Sequence, residues 1–446
     1  MSGDRVERGP GFWRRWRTDL GLARNRLDNN AIRLGIEWSR IFPRSTASVR
    51  TGRRVSKREL RRLDRLANAA AVRRYARILR GAGERGLRVM LTLNHFTLPV
   101  WIHDPIAVRE AFEGVGPDDD LPRGLRRAGW LDRSTVAEFR KFAAYAAWKL
   151  GRHVPLWATV NEPLVTVSQG FVSIPGVTGV KAPAILNYAA ALRGVETIAL
   201  ANAAAYDAIH AHDRRARVGF VTNLVDWRPA EPGNPDDATA AAHADQIYNR
   251  TFMDAAVNGW YDTDADGVED PGEVRAARRD KADFVGVNHY SPGYAAKIEP
   301  LTERIPLFDF IPQITFRGTG NPSGPECPTT CTDFGWEIDP VGLANVVEEA
   351  ASYGKPIYVT ENGIDDGDDD QRAEYLRGHL AALHGAIEDG ADVRGYFHWS
   401  LLDNYEWAEG FAGRFGLFAF DRRTLEREAR PSARVYARAA RTNAVP

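Results

Sequence analysis

The sequence has few of the residues and segments that mark secreted, membrane-bound or nucleic-acid-binding proteins. Its 446 residues include 2 cysteines, too few for a disulfide framework. No apolar run reaches the roughly 20 residues of a membrane span, and the opening MSGDRVERGPGFWRRW has no apolar core of a secretory signal. Basic and acidic residues number 59 each, so no charge surplus favours nucleic acid. These absences predict a cytoplasmic protein that acts on an uncharged small molecule, with neither nucleic acid nor a membrane as partner.

The two cysteines, Cys327 and Cys331, lie close together in the segment CPTTC. This spacing is compatible with a local disulfide that closes one loop. A metal site at this pair is disfavoured, because no His or further Cys lies nearby in the sequence.

Short aliphatic and β-branched runs alternate with longer stretches of helical apolar spacing. This alternation predicts parallel βαβ units. The predicted strands are residues 31–37, 87–93, 156–160, 217–222, 284–288, 356–360 and 393–399. The predicted helices are residues 70–83, 136–150, 185–212, 341–353 and 372–389.

The chain shows no linker and no break in composition, so the simplest architecture is one α/β domain over residues 1–446, a (β/α)8 TIM barrel. A doubly wound sheet is the alternative, but no GxGxxG turn follows an early strand. A closed barrel of this kind needs eight strands, and the count of seven leaves the first strand missing.

Polar residues follow most of the predicted strands, where a TIM barrel builds its active site. Two of them, Glu162 and Glu361, come directly off strands that read as buried, where an unpaired carboxylate is costly. Glycoside cleavage requires two carboxyls across the scissile bond. Trp399 and Trp407 offer aromatic faces for a sugar ring, although both are also compatible with the core.

Around these residues the sequence resembles glycoside hydrolase family 1, which contains β-glucosidases and β-galactosidases, and in particular its archaeal-type branch. The resemblance extends from about residue 10 to the end. The segments that carry it are IEWSRIFP (36–43), LTLNHFTLPVWIHDP (91–105), WATVNEP (157–163), DFVGVNHYS (283–291), TDFGWEIDPVGL (332–343), IYVTENGI (357–364), GYFHWSLLDNYEWAEGF (395–411) and RFGL (414–417).

The resemblance implies a role for each matching residue. It makes Glu162 the acid/base and Glu361 the nucleophile of a retaining exo-β-glycosidase that hydrolyses terminal β-glucosides or β-galactosides without a catalytic cofactor. The implied substrate-binding residues are His95, Asn161, Trp399, Glu406 and Trp407, and those implied to support the nucleophile are Arg33, Asn288 and Tyr290.

Two departures from the family pattern stand out. The first barrel strand, with its sugar-binding Gln, has no counterpart; we expect either a start placed too late or a remnant with impaired folding. Phe96 stands where the family usually has Trp, so an indole N–H donor is lost. A catalytically inactive sugar-binding relative is therefore the alternative function, and transglycosylation uses the same residues. A homo-oligomer is left open.

Residues 262–273, DTDADGVEDPGE, match the twelve-residue pattern of a calcium loop. The pattern favours a structural Ca²⁺ over a solvated acidic turn, and residues 365–370 (DDGDDD), which lack the spacing, are expected to form a solvated loop. The residues at liganding positions are Asp262, Asp264, Asp266, Val268, Asp270 and Glu273.

Overall fold

A curved sheet of seven parallel strands, surrounded by helices, forms the centre of the molecule in a computed structural model that describes residues 2–173, 181–314 and 326–446. The strands in chain order are β1 (Ala31–Gly35), β2 (Arg88–Asn94), β3 (Leu156–Asn161), β4 (Arg217–Asn223), β5 (Trp227–Pro229), β6 (Val285–Asn288), β7 (Gly293–Lys297), β8 (Phe310–Gln313), β9 (Ile357–Asn362), β10 (Val393–His398), β11 (Phe418–Phe420) and β12 (Arg427–Ala429).

The barrel strands are hydrogen-bonded in the order β1-β2-β3-β4-β6-β9-β10. Every residue of β3 and β6 is buried, as expected for parallel strands that are covered on both faces. The sheet is a nearly closed barrel, and the prediction of seven barrel strands is confirmed. Within the described residues, β1 pairs only with β2 and β10 only with β9, so these two are the edge strands.

Helices cover the outside of the barrel. They are α1 (Phe12–Asn25), α2 (Trp38–Ile41), α3 (Lys57–Leu66), α4 (Ala69–Gly83), α5 (Pro105–Ala111), α6 (Ser134–Leu150), α7 (Pro163–Phe171), α8 (Tyr188–His212), α9 (Pro235–Asp245), α10 (Thr251–Met253), α11 (Pro340–Ala351), α12 (Arg372–Glu388) and α13 (Ala433–Thr442), with π-helical turns at Gln246–Arg250 and Asp254–Asn258.

Local capping sets where several helices begin. The α3 helix starts with a capping box, in which Ser56 accepts from the Glu59 N–H and Glu59 accepts from the Ser56 N–H. The α8 helix begins at Tyr188, three residues later than predicted, because the Asn187 side chain caps it by accepting from the Ala190 N–H. The other predicted helices agree with the structure to within two residues at each end.

Two small sheets lie beside the barrel. One has the order β5-β7-β8, and the other is the antiparallel pair β11-β12. Cys327 and Cys331 form a disulfide, the local pairing with which their spacing is compatible. None of the helices in the described part of the chain has the length and apolar character needed to span a membrane.

The acidic run at 365–370 differs in part from the expected solvated loop. Asp368 and Asp370 are exposed, but Asp365 and Asp366 are buried. Asp366 accepts from the backbone N–H groups of Asp369, Gln371 and Arg372. The prediction was wrong for the first two residues because these backbone donors at the start of α12 compensate the burial of Asp366, and the Arg414 N–H does the same for Asp365.

Candidate active site

The carboxyl ends of the barrel strands bring the predicted site residues together at one mouth of the barrel. Because all seven strands are parallel, their carboxyl ends lie at the same edge of the sheet. Of the two carboxyls, Glu361 lies within β9, and Glu162 follows β3 directly. The other predicted residues that lie on the strands or follow them closely are Arg33, His95, Asn161, Asn288, Tyr290 and Trp399.

Glu361 is buried and is bonded through both carboxylate oxygens. Arg33 of β1 forms an ion pair with Oε1, and the Tyr290 hydroxyl donates to Oε2 at 2.7 Å. Arg33 is itself held in place, since its Nε donates to the Thr92 hydroxyl at 3.1 Å. The ion pair and the hydrogen bond together orient the two oxygens of Glu361, as an attacking carboxylate requires.

Asn161 connects the residues around the two carboxyls. Its Oδ1 accepts from Arg33 and, at 3.3 Å, from Asn288 Nδ2. These two donors orient the amide, so Nδ2 is the group that meets His95 Nε2 at 3.3 Å. Nε2 must therefore accept, and the proton of the neutral ring lies on Nδ1. Burial lowers the pKa of His95 to about 4, so the ring is neutral at pH 7.

Glu162 has the environment of a proton donor. Burial and the nearby charge of Glu361 raise its pKa to about 7. Asn288 Nδ2 donates to Glu162 Oε1 at 2.7 Å, while Asn288 Oδ1 accepts from the Thr360 hydroxyl at 2.7 Å. Since Oε1 is an acceptor in this bond, Oε2 is the oxygen left to carry the proton.

Aromatic side chains form one wall of the mouth. The His95 ring lies 5.7 Å from the Trp407 ring and 6.1 Å from the Trp399 ring, and Phe96 lies edge-on to Trp407 at 5.0 Å. Trp399 Nε1 donates to Glu406 Oε1 at 3.1 Å. Trp399 and Trp407 are only half-buried, so they line the mouth and are not core residues.

Gly363, the last residue of the segment ENG (361–363), lies where two backbone segments approach closely. A Cβ atom at this position would lie 1.8 Å from the Trp399 carbonyl oxygen. The backbone that carries Trp399 can therefore approach β9 only because residue 363 has no side chain.

The structure adds residues that the sequence did not single out. Lys181 lies against the aromatic wall, and Tyr248, whose hydroxyl donates to Asn223 Oδ1 at 3.0 Å, lies beside Glu162. Burial raises the pKa of Tyr248 well above its usual value. Neither residue follows a barrel strand directly, so placement at a strand end could not have identified them.

The predicted calcium loop lies between α10 and β6 in the chain. Its carboxylates form two overlapping groups whose oxygens lie within 4.8 Å of one another, Asp262–Asp264–Glu273 and Asp264–Asp266–Asp270. Several oxygens are used within the loop. Asp262 accepts from the Gly267 N–H at 2.8 Å, and Glu273 accepts from Trp260 Nε1 at 3.0 Å. Val268, expected to offer its carbonyl, donates its N–H to Asp266. Calcium binding here stays a prediction.

A parallel α/β barrel whose mouth holds two buried carboxyls beside an aromatic wall has the architecture of a glycoside hydrolase. The model of glycosyl hydrolase family 1 matches residues 119–445. A β-galactosidase from Pyrococcus woesei is 36% identical over 96% of this chain and 85% of its own length.

Solved structures agree with this assignment. The β-glycosidase from the hyperthermophile Thermosphaera aggregans has a TM-score of 0.85 and 34% identity, over 100% of this chain and 88% of that one. A β-glucosidase mutant derived from a hyperthermophilic tetrameric structure has a TM-score of 0.83 and 33% identity, over 100% of this chain and 87% of that one. The chain belongs to glycosyl hydrolase family 1, and it is a glycoside hydrolase that acts on O-glycosyl bonds.

Proposed function

We propose that this chain is a retaining exo-β-glycosidase that removes terminal β-glucosyl or β-galactosyl residues through a covalent glycosyl-enzyme intermediate. The observation that carries the proposal is the contrast between the two carboxyls. Glu361 is ion-paired with Arg33, while burial raises the pKa of Glu162 to about 7. One is suited to attack and the other to donate a proton.

In the first step, the Glu361 carboxylate attacks the anomeric carbon as the bond to the leaving oxygen breaks. Glu162 donates its proton to that oxygen, and the sugar is left as an ester of Glu361. The ester carries no charge, so one of the two causes that raise the pKa of Glu162, the charge of Glu361, is removed, while its burial remains. In the second step Glu162 takes a proton from water, the water oxygen attacks the anomeric carbon, and the Glu361 carboxylate is released.

The network between the carboxyls supports these roles. Arg33 contacts both Glu361 and Asn161, and Asn288 contacts both Asn161 and Glu162. In the proposed mechanism, Asn161 and His95 bind sugar hydroxyls, Trp399 and Trp407 bind the sugar face, and Glu406 binds the hydroxyls nearest to Trp407. Burial raises the pKa of Glu406 to about 8, so at pH 7 its carboxyl can both donate and accept.

Azide rescue tests the assignment. With aryl β-glycosides, Glu361→Gly should be inactive and should regain turnover in azide, with an α-glycosyl azide as product. Glu162→Ala should lose about 10²–10⁴-fold and, with azide, should form the β-glycosyl azide. The exposed Glu348→Gly is the matched control and should resemble the wild type. Rescue of neither variant would contradict a covalent mechanism.

The alternative, a catalytically inactive sugar-binding relative, predicts a different result. Such a protein would bind galactose or glucose in calorimetry while releasing no nitrophenol from aryl glycosides. The wild-type assay alone separates the two hypotheses.

We also propose a homo-oligomer and one cooperative domain over residues 1–446. A relative described above derives from a tetrameric structure, which supports the first. Sedimentation velocity tests the oligomer, and a single calorimetric transition would support the single domain.

A further inference from the structure

Lys181 brings a cation to the aromatic wall of the mouth. Its ammonium nitrogen lies 3.6 Å from the centre of the Phe96 ring and 5.0 Å from that of Trp407. Phe96 in turn contacts His95 at 4.9 Å between ring centres. The ammonium therefore contacts Phe96 and lies near Trp407, two of the side chains that line the proposed sugar position.

The hydrogen-bonding capacity of this ammonium is unused by the rest of the described chain. A lysine carries three N–H donors and no acceptor, and no described residue accepts a hydrogen bond from Lys181. The Phe96 ring beneath it offers no hydrogen-bonding group. Above the Phe96 ring, Lys181 can therefore supply donors to a hydroxylated ligand.

Electrostatics agrees with a position inside the mouth. The carboxyls whose charges act on Lys181 are Glu162, Glu409, Glu406 and Glu361. Burial nevertheless lowers the pKa of Lys181 to about 8, so these carboxyls do not fully compensate the lost hydration. A ligand hydroxyl would replace some of that hydration.

We propose that Lys181 binds the sugar directly, donating a hydrogen bond to one hydroxyl of the glycone beside Phe96 and thereby setting which sugars the site prefers. This inference rests on the proposed function only in taking the mouth as the sugar site. It makes Lys181 a specificity-determining residue that is supplied by a loop and not by a strand end.

The test compares Lys181→Met, which keeps the length but removes the donors, with Lys181→Arg, which keeps charge and donors. The substrates are an aryl β-glycoside and its 3-deoxy, 4-deoxy and 6-deoxy analogues. Lys181→Met should lower kcat/KM on the parent by about ten- to a hundredfold, as expected for a hydrogen bond to a charged donor. That loss should vanish on one analogue and persist on the others, and Lys181→Arg should retain most of the activity.

Lys149→Met is the matched control, because Lys149 also lies over an indole, at 4.3 Å from Trp148, but on α6 away from the mouth. It should leave kcat/KM unchanged. An equal loss on all four substrates would mean that Lys181 only braces the aromatic wall, and either that result or no loss would overturn the proposal. Restoration of the Lys181→Met activity by a second change, Phe96→Trp, which supplies an indole N–H at the same wall, would further support it.

The inference about Lys181 can be tested even if the protein has no glycosidase activity. If the wild type turns over none of the substrates, galactose and glucose are titrated calorimetrically into the wild type and Lys181→Met. Weaker sugar binding by the variant supports the inference without any catalysis. Equal binding by the two proteins, or no binding by the wild type, overturns it.

Discussion

The inner strands of the barrel (β2, β3, β4, β6 and β9) and its edge strands (β1 and β10) contribute differently to the same mouth. The inner strands are mostly buried along their length, whereas all of β10 and most of β1 are at least partly exposed. The inner strands carry or directly precede both carboxyls and the linking amides. The edge strands supply Arg33 and lead into Trp399. The proton-transfer groups are thus enclosed, while the charge partner of the proposed nucleophile comes from the less protected part of the sheet.

The bonds between the two parts hold the site together. Arg33 of β1 reaches Glu361 of β9 and Asn161 of β3, so one edge side chain contacts two inner strands. Substitutions in each part can therefore show how far the stability and activity of the protein depend on these bonds and on the burial of the inner strands.

Arg33→Met removes the contact between edge and inner strands. Glu361 would keep a buried charge without its partner, so we expect the free energy of unfolding to fall by about 3–5 kcal/mol. We also expect kcat/KM to fall by about 10²–10³-fold. Urea unfolding and aryl glycoside assays measure the two effects.

Arg133→Met is the control for this change, because Arg133 pairs with Glu196 through a side chain that is 57% exposed. Its loss should cost less than about 1 kcal/mol. Equal destabilisation by the two variants would show that the Arg33 pair does not connect the edge to the inner strands.

Leu91→Ala and Leu34→Ala compare the two parts at one level of the sheet, since the two leucines are register partners across β1 and β2. Leu91 is 1% exposed, so its truncation should cost about 2–5 kcal/mol. Leu34 is only half-buried, so Leu34→Ala should lower the free energy of unfolding clearly less than Leu91→Ala does. Equal costs in urea unfolding would contradict the difference in protection.

The pH dependence tests the enclosed proton donor. Because the pKa of Glu162 is about 7, the group is protonated below this pH and loses its proton as the pH rises. On a substrate with a poor leaving group, kcat/KM should therefore fall tenfold per pH unit well above pH 7. Glu162→Gln should lack the limb that begins at pH 7, and any remaining loss should begin only near pH 8, where Glu406 and Lys181 lose their protons. A limb at pH 7 that survives the substitution would assign it to another group.

The predicted calcium loop belongs to neither the inner nor the edge strands, and its effect on stability can be measured separately. If residues 262–273 bind Ca²⁺, a concentration of 100 times Kd stabilises the fold by about 2.7 kcal/mol. The melting temperature should rise with Ca²⁺, and Asp264→Asn should reduce the rise without changing kcat/KM. An unchanged melting temperature with Ca²⁺ and with EDTA would exclude the site.

The barrel and most of the mouth could be predicted because their signals are local. Each strand is a short aliphatic run, and the residue that follows it is placed by the parallel sheet. The α1 helix, although not predicted, also carries a readable pattern, with buried Trp16, Asp19, Leu20 and Ala23.

Other features depend on contacts between distant residues. Asp19 is fully buried because Arg427, 408 residues away in sequence, donates to both of its carboxylate oxygens. Lys181 reaches the mouth from a loop with no periodic pattern. No local rule predicts either contact, since both depend on how the completed barrel brings the segments together.

The neutral state of His95 has a practical consequence for measurements on this protein. When an activity changes between pH 5 and 8, the change is ordinarily assigned first to a histidine, because its usual pKa lies in that range. With its pKa lowered to about 4, His95 keeps one protonation state across that interval. Its ring nitrogens can therefore serve as a spectroscopic reporter of sugar occupancy, because a chemical-shift change at neutral pH would record the arrival of a ligand hydroxyl and not a titration of the ring.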